Sequence, residues 1–129
     1  MGSTLMQRLI EHPDAKVVAL YQRSRENAVA TLEEMGLPAS AYHDDYAEML
    51  ANPEVDAVFL CSPNSSHGPQ SIAAMEAGKH VFCEKPCSTT FADFERQLEL
   101  AKAYPKLITY VNYLLNFDPM EQRLLKMVK

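Results

Sequence analysis

The strongest candidate for chemistry in this sequence is Lys85, which lies between Glu84 and Pro86 directly after an apolar run. Pro86 restricts the residue before it to extended backbone conformations, so the direction of the lysine is fixed. Burial at the end of a strand would favour the neutral amine, which can accept a proton from a reacting group. In the alternative interpretation, Lys85 pairs with Glu84 and points to solvent.

A second candidate is a polar loop that follows another apolar run. Its hydroxyl, amide and imidazole groups suit a polar ring such as nicotinamide. In the alternative interpretation, Asn64 or Ser66 caps the next helix and His67 lies on the surface. The candidate binding residues of the loop are Ser62, Pro63, Asn64 and His67.

A third candidate follows the apolar run that ends at Tyr21 and consists of Gln22, Arg23 and Ser24. Dinucleotide enzymes that prefer NAD usually carry a carboxylate here, which binds the ribose hydroxyls and would repel a 2′-phosphate. Arg23 and the Ser24 hydroxyl could instead bind that phosphate. The predicted cofactor is therefore NADP, with NAD as the alternative. A solvated turn with incidental arginines is the other interpretation.

The apolar runs are predicted strands, and they alternate with segments of helical periodicity. Residues 55–61 are almost continuously apolar, which is typical of a strand covered on both faces. The alternation predicts an α/β fold with a Rossmann-like, doubly wound parallel sheet, whose ligands bind beyond the carboxyl ends of the strands. The predicted strands are residues 16–21, 55–61, 79–83 and 107–111, with a brief strand at Tyr42. The predicted helices are residues 2–11, 25–35 after a Ser24 cap, 69–77, and segments after Asp44 or Asp45, after Thr89 or Thr90, and from Met120.

Composition excludes several classes of protein. The net charge of -5 and the absence of a Lys/Arg stripe argue against nucleic acid as a partner. No run approaches the roughly 20 apolar residues of a membrane span, and no secretory signal is visible, so a cytoplasmic protein is expected. The cysteines are odd in number and lack the paired spacing of a zinc site, so free thiols and no metal are predicted. They are Cys61, Cys83 and Cys87.

Taken together, these motifs resemble the glucose-fructose oxidoreductase / inositol dehydrogenase (Gfo/Idh/MocA) family. Residues 55–58, 62–67 and 77–81 and the Glu84-Lys85-Pro86 motif carry the resemblance. It implies hydride transfer between a nicotinamide and a sugar, cyclitol or related polyol, in a homo-oligomeric enzyme. By the same resemblance Lys85 assists proton transfer, and its two neighbours and the loop at residues 62–67 hold the cofactor.

The sequence departs from the family pattern in three ways. Family members open with a strand and a Gly-x-Gly-x-x-Gly turn, of which Gly2 resembles only the last position, so the phosphate cradle lacks two glycines. Asn116 stands where many members have arginine. Residues 1–117 are expected to form a partial Rossmann domain, and residues 118–129 the start of a truncated substrate domain, which in the family commonly carries a catalytic histidine.

The expected missing strand is the central one, between the strands that end at Tyr21 and Cys61. Five buried apolar side chains at roughly 2 kcal/mol each would contribute on the order of 10 kcal/mol before ordering costs. We therefore expect that the flanking strands pair directly, that a partner supplies a strand, or that the chain folds poorly. On its own the chain should have little turnover. The alternative function is a nonenzymatic nucleotide-binding or dimerisation module.

Overall fold

The computed structural model describes residues 2–114 and 118–127, in which helices alternate with short strands. Asn116 and Phe117 lie outside the described residues. The helices are α1 (Gly2–Glu11), α2 (Arg25–Glu34), α3 (Tyr46–Ala51), α4 (Asn64–Glu76), α5 (Phe91–Ala103) and α6 (Pro119–Met127), with a short 3-10 helix at Ala39–Ala41. The strands are β1 (Leu20–Tyr21), β2 (Tyr42–His43), β3 (Ala57–Leu60), β4 (His80–Glu84) and β5 (Thr109–Asn112).

Every strand pairing is parallel, which confirms the predicted α/β fold. The strands form two separate sheets, β1-β2 and β3-β4-β5, rather than one. Within the described residues no strand lies between β1 and β3, and these two strands do not pair with each other. Of the three expected outcomes, direct pairing of the flanking strands is therefore wrong, and the gap falls where the central strand is expected to be missing.

A cleft of about 840 Å³ separates the two sheets. Leu5, Met6 and Leu9 of α1 line it together with residues of β1 and β3. None of the residues in α1 is buried, because the helix packs over this gap instead of over a strand. The same gap explains why β1 is shorter than the predicted strand at residues 16–21, since residues 16–19 have no neighbouring strand with which to pair.

The main core lies between the three-stranded sheet and the helices α4 and α5. Val58, Val81, Met75 and Leu100 are among its buried residues. On the opposite face, Phe59 remains 41% exposed and begins an aromatic row across the sheet. The prediction that residues 55–61 are covered on both faces is therefore wrong, because the helices that follow β3 and β4 pack on the same side.

Side-chain caps begin three helices as the sequence predicts. The hydroxyl of Ser24 accepts a hydrogen bond from Asn27 N (3.3 Å) at α2, and the carboxylate of Asp45 accepts one from Glu48 N (2.9 Å) at α3. The third cap, at α5, is Thr90, which accepts a hydrogen bond from Asp93 N (3.1 Å). These bonds satisfy backbone donors that a helix leaves free at its first turn.

The helix α4 begins earlier than predicted, at Asn64 instead of near Pro69. Its N-cap is Pro63, which makes no side-chain cap bond, while its carbonyl accepts Ser66 N (2.8 Å). The alternative interpretation in which Asn64 or Ser66 caps this helix is therefore wrong. Pro69 is the sixth residue of this helix, beyond the first turn, so its missing N–H removes one backbone hydrogen bond of the helix. In the described part of the chain, no helix has the length and apolar character to cross a membrane.

Candidate functional site

The loops at the carboxyl ends of β1 and β3 both contribute residues to the lining of the cleft. The lining combines apolar side chains with polar groups from three separate segments. The predicted site residues that line the cleft are Gly2, Gln22, Arg23, Ser24, Ser62 and Pro63.

Two helix starts contribute to the lining of the cleft. At α2, the Ser24 oxygen accepts the capping bond, which leaves its hydroxyl hydrogen to donate, and the neighbouring Arg23 is exposed. At α1, a side-chain carbon added to Gly2 would lie 3.4 Å from Cβ of Cys61. The start of α1 therefore lies directly against the end of β3, with its first-turn backbone donors beside the cleft.

Glu84, Lys85 and Pro86 follow β4 and do not line this cleft. Glu84 is buried, and its carboxylate accepts a hydrogen bond from Asn112 Nδ2 at the end of β5 (2.8 Å). Lys85 is exposed, so the expected burial of its amine is wrong. No ion pair within 4.0 Å joins it to Glu84, although both residues belong to the described chain. The lysine lies just beyond the sheet, where the backbone bends away from β4.

His67 is buried, with 1% of its surface exposed, so the alternative that places it on the surface is wrong. Its ring lies between the two loops: Nδ1 is 2.7 Å from the carbonyl oxygen of Pro86, and Nε2 is 2.8 Å from that of Ser62. Asn64, by contrast, is exposed at the first position of α4 and does not line the cleft. The side chains of the loop after β3 therefore lie in three places: in the cleft, in solvent and in the protein interior.

Two residues of the site were not predicted from the sequence. Gln70 accepts the hydroxyl hydrogen of Ser62 (2.6 Å), and its carbonyl accepts that of Tyr46 (3.1 Å), so it connects α3, α4 and the loop after β3. Asn112 holds the carboxylate of Glu84. Asn112 directly follows the predicted strand at residues 107–111. A polar side chain at the carboxyl end of a predicted strand could have identified it as a site residue. Gln70 lies inside a helix and carries no comparable signal.

The three cysteines are free thiols that lie partly or fully buried, as predicted. Burial raises the pKa of Cys83 to about 12, with further contributions from Cys87, Cys61 and Glu84. Burial likewise raises the pKa of Cys61. Cys83 is therefore a neutral thiol near pH 7, and its role is that of an apolar core residue. The described residues contain no group of three or more metal-binding side chains.

The raised pKa of Cys83 predicts a loss of stability in alkali. The folded state holds this proton more tightly than the unfolded chain, whose thiol titrates near 9.0. The contribution should be fully present below that pH and should disappear as the pH rises toward about 12. Urea unfolding across this range should show a flatter pH dependence for Cys83→Ala than for the unmodified chain. Equal slopes for the two proteins would contradict the assignment.

Parallel strands, crossover helices and polar loops at the carboxyl ends define the class of dinucleotide-binding α/β domains. Residues 1–113 match the sequence model of one such group, the oxidoreductase family with an NAD-binding Rossmann fold. The chain belongs to this family, which is the Gfo/Idh/MocA family that its motifs resemble.

Known proteins similar to the chain include inositol dehydrogenases. An inositol 2-dehydrogenase from Paracoccus denitrificans is 35% identical over 105 residues, which are 81% of this chain and 31% of that protein. Scyllo-inositol dehydrogenase from Lactobacillus casei, with bound NAD(H) and scyllo-inositol, is 25% identical with a TM-score of 0.82 over 98% of this chain and 36% of its own. A 3-ketoreductase from Actinomadura kijaniata, in complex with NADP and TDP-benzene, is 28% identical with a TM-score of 0.77 over 93% and 36%. The chain thus spans about a third of the length of these relatives.

Proposed function

We propose that this chain is the nucleotide-binding part of an NAD(P)-dependent oxidoreductase that acts on a sugar, cyclitol or related polyol. The observation that carries the proposal is the position of Lys85, an exposed amine beyond the carboxyl end of β4, at the edge where parallel sheets bind their ligands. The inositol dehydrogenases among its relatives favour a cyclitol. In this proposal residues 1–117 form the nucleotide-binding domain, and residues 118–129 begin a substrate domain.

The polar groups that line the cleft fit a dinucleotide. The hydroxyls of Ser24 and Ser62, the amide of Gln22 and the guanidinium of Arg23 all line it, and they match ribose and phosphate oxygens. Gly2 would place the first-turn backbone donors of α1 near a phosphate. When bound there, the cofactor would supply the nicotinamide that accepts or donates the hydride.

Lys85 would move the proton that accompanies the hydride. In the oxidation direction its amine would take the proton of the substrate hydroxyl, and in the reverse direction it would return that proton. The exposed side chain can reach a substrate outside the sheet, whereas the hydrogen bond from Asn112 keeps Glu84 inside. Pro86 and Glu84 would then hold the lysine between two fixed positions.

A homo-oligomeric, cytoplasmic enzyme is part of the same proposal. The free thiols support a reducing compartment. The exposed side chains of Phe59, Tyr113 and Leu114 on or near the three-stranded sheet support a contact with another copy or domain.

The complete protein tests the proposed reaction directly. It should reduce NAD or NADP in the presence of myo-inositol, scyllo-inositol or a related polyol, as followed by nicotinamide absorbance. Tight dinucleotide binding with no hydride transfer to any polyol would favour the nonenzymatic binding module instead. Absence of dinucleotide binding would reject both functions.

The choice of cofactor depends on Arg23 in this proposal. Loss of a charge-assisted hydrogen bond to phosphate costs about 1.5–3 kcal/mol, so Arg23→Ala should weaken NADP binding roughly 10- to 100-fold and leave NAD binding nearly unchanged. Calorimetric titration of the complete protein with both cofactors measures the difference. Arg25→Ala is the matched control, because Arg25 is an exposed neighbour that does not line the cleft. Tighter binding of NAD than NADP by the unmodified protein would overturn the preference.

A further inference from the structure

The buried ring of His67 has a carbonyl oxygen at each of its nitrogens. Nδ1 lies 2.7 Å from Pro86 O and Nε2 lies 2.8 Å from Ser62 O. Both distances are within the range of strong hydrogen bonds, and both oxygens can only accept. The ring therefore has two acceptors and no donor at its nitrogens.

A neutral imidazole has one N–H group and one bare nitrogen. With this geometry, a neutral ring would place the lone pair of its bare nitrogen against a carbonyl lone pair inside the protein, where water cannot separate them. Only a ring with hydrogen on both nitrogens makes both contacts favourable. We propose that His67 is a doubly protonated imidazolium that ties the loop after β3 to the loop after β4 and thereby positions Lys85.

The surroundings of His67 include a helix dipole and nearby carboxylates, which have opposite effects on a positive charge. The residue lies in the first turn of α4, where the helix dipole disfavours a cation. Asp93 of α5 lies against the next residue of the helix, since its carboxylate is 2.7 Å from the place where a side-chain carbon on Gly68 would be. Glu84 adds a buried carboxylate in β4. The titratable groups on the surrounding elements are Cys61 after β3, Cys83 and Glu84 in β4, Lys85 and Cys87 after β4, Asp93 in α5 and Glu76 at the far end of α4.

The charge-assisted bonds have a structural consequence for Lys85. Ser62 lines the dinucleotide cleft, and Pro86 directly follows the lysine. The His67 ring joins their carbonyls, so it adds a side-chain link between the loops that follow the paired strands β3 and β4. This part of the inference depends on the proposed function, whereas the charge of the ring does not. Because both ring nitrogens are occupied by backbone oxygens, His67 acts as a positioning residue and has no nitrogen free for the cofactor.

Nuclear magnetic resonance of the chain with nitrogen-labelled histidine tests the charge. At about pH 7.5, both ring nitrogens of His67 should carry hydrogen. His80 is an internal control, because its Nδ1 accepts a hydrogen bond from Ile108 N (2.9 Å) and must lack hydrogen. The spectrum of a His67→Gln variant identifies the signals. A His67 ring with one bare nitrogen at this pH would overturn the proposal.

The positioning role is measured in the complete enzyme. His67→Gln should lower kcat about 10- to 100-fold through displacement of Lys85, with little change in the KM for the dinucleotide. His43→Gln, in the short strand β2, is the matched control and should leave both constants unchanged. Unchanged kcat in His67→Gln, or an equal rise in the dinucleotide KM, would reject the positioning role. If the unmodified protein has no activity while the doubly protonated signal is present, the proposed function fails and the charge assignment stands.

Discussion

Replacement of Lys85 by alanine should lower kcat of the complete enzyme by about 10²- to 10⁴-fold, the usual contribution of one general acid or base. The expected loss lies in proton transfer to and from the substrate oxygen. Lys85 does not line the dinucleotide cleft, so the affinity for NADP should change little. Steady-state kinetics with a polyol substrate and separate titration of the cofactor measure the two effects.

Two further variants separate proton transfer from charge. Lys85→Arg keeps the positive charge but cannot release a proton, so it should be nearly as inactive as the alanine variant. Lys102→Ala removes an exposed lysine from the end of α5 and should retain full activity. Activity of Lys85→Arg close to that of the unmodified enzyme would show that charge alone is required. Full activity of Lys85→Ala would remove the lysine from the mechanism.

Addition of an apolar strand to the cleft between β1 and β3 should stabilise the chain strongly. The cleft holds about 840 Å³ between β1 and β3, and Leu5, Met6 and Leu9 of α1 line it. An extension of about six valine and isoleucine residues and a glycine turn, placed ahead of Met1, matches a typical strand length. It should raise the free energy of unfolding by at least ~3 kcal/mol, the scale of filling one large core defect.

Urea unfolding and hydrogen exchange measure this prediction. The backbone amides of β1 and β3 should become protected, because the added strand supplies their missing ladder partners. An extension of equal length with two prolines is the control, since proline cannot complete the ladder. Equal stability of the two extended chains would contradict the strand-acceptor interpretation of the cleft. A gain that grows with protein concentration would indicate exchange of strands between copies.

The helix caps and the arrangement of strands show how far local sequence is informative. Ser24, Asp45 and Thr90 form the predicted caps because each bond spans only three residues. The parallel pairing and the gap between β1 and β3 follow from the alternation of elements and from the expected absence of a central strand. The extents of the two domains and the assignment of binding residues stay predictions.

The sequence by itself determined the fold class, the family and the residue types at the carboxyl edge, because these depend on periodicity and on short contiguous motifs. Only the tertiary structure decided what surrounds each side chain. The burial of His67 requires Pro86 and Ser62 to approach from two loops, and the exposed face of Phe59 depends on which side the helices pack. The exposure of Lys85 likewise depends on the bend after β4. Contacts between segments distant in the chain set these environments, and no local pattern encodes them.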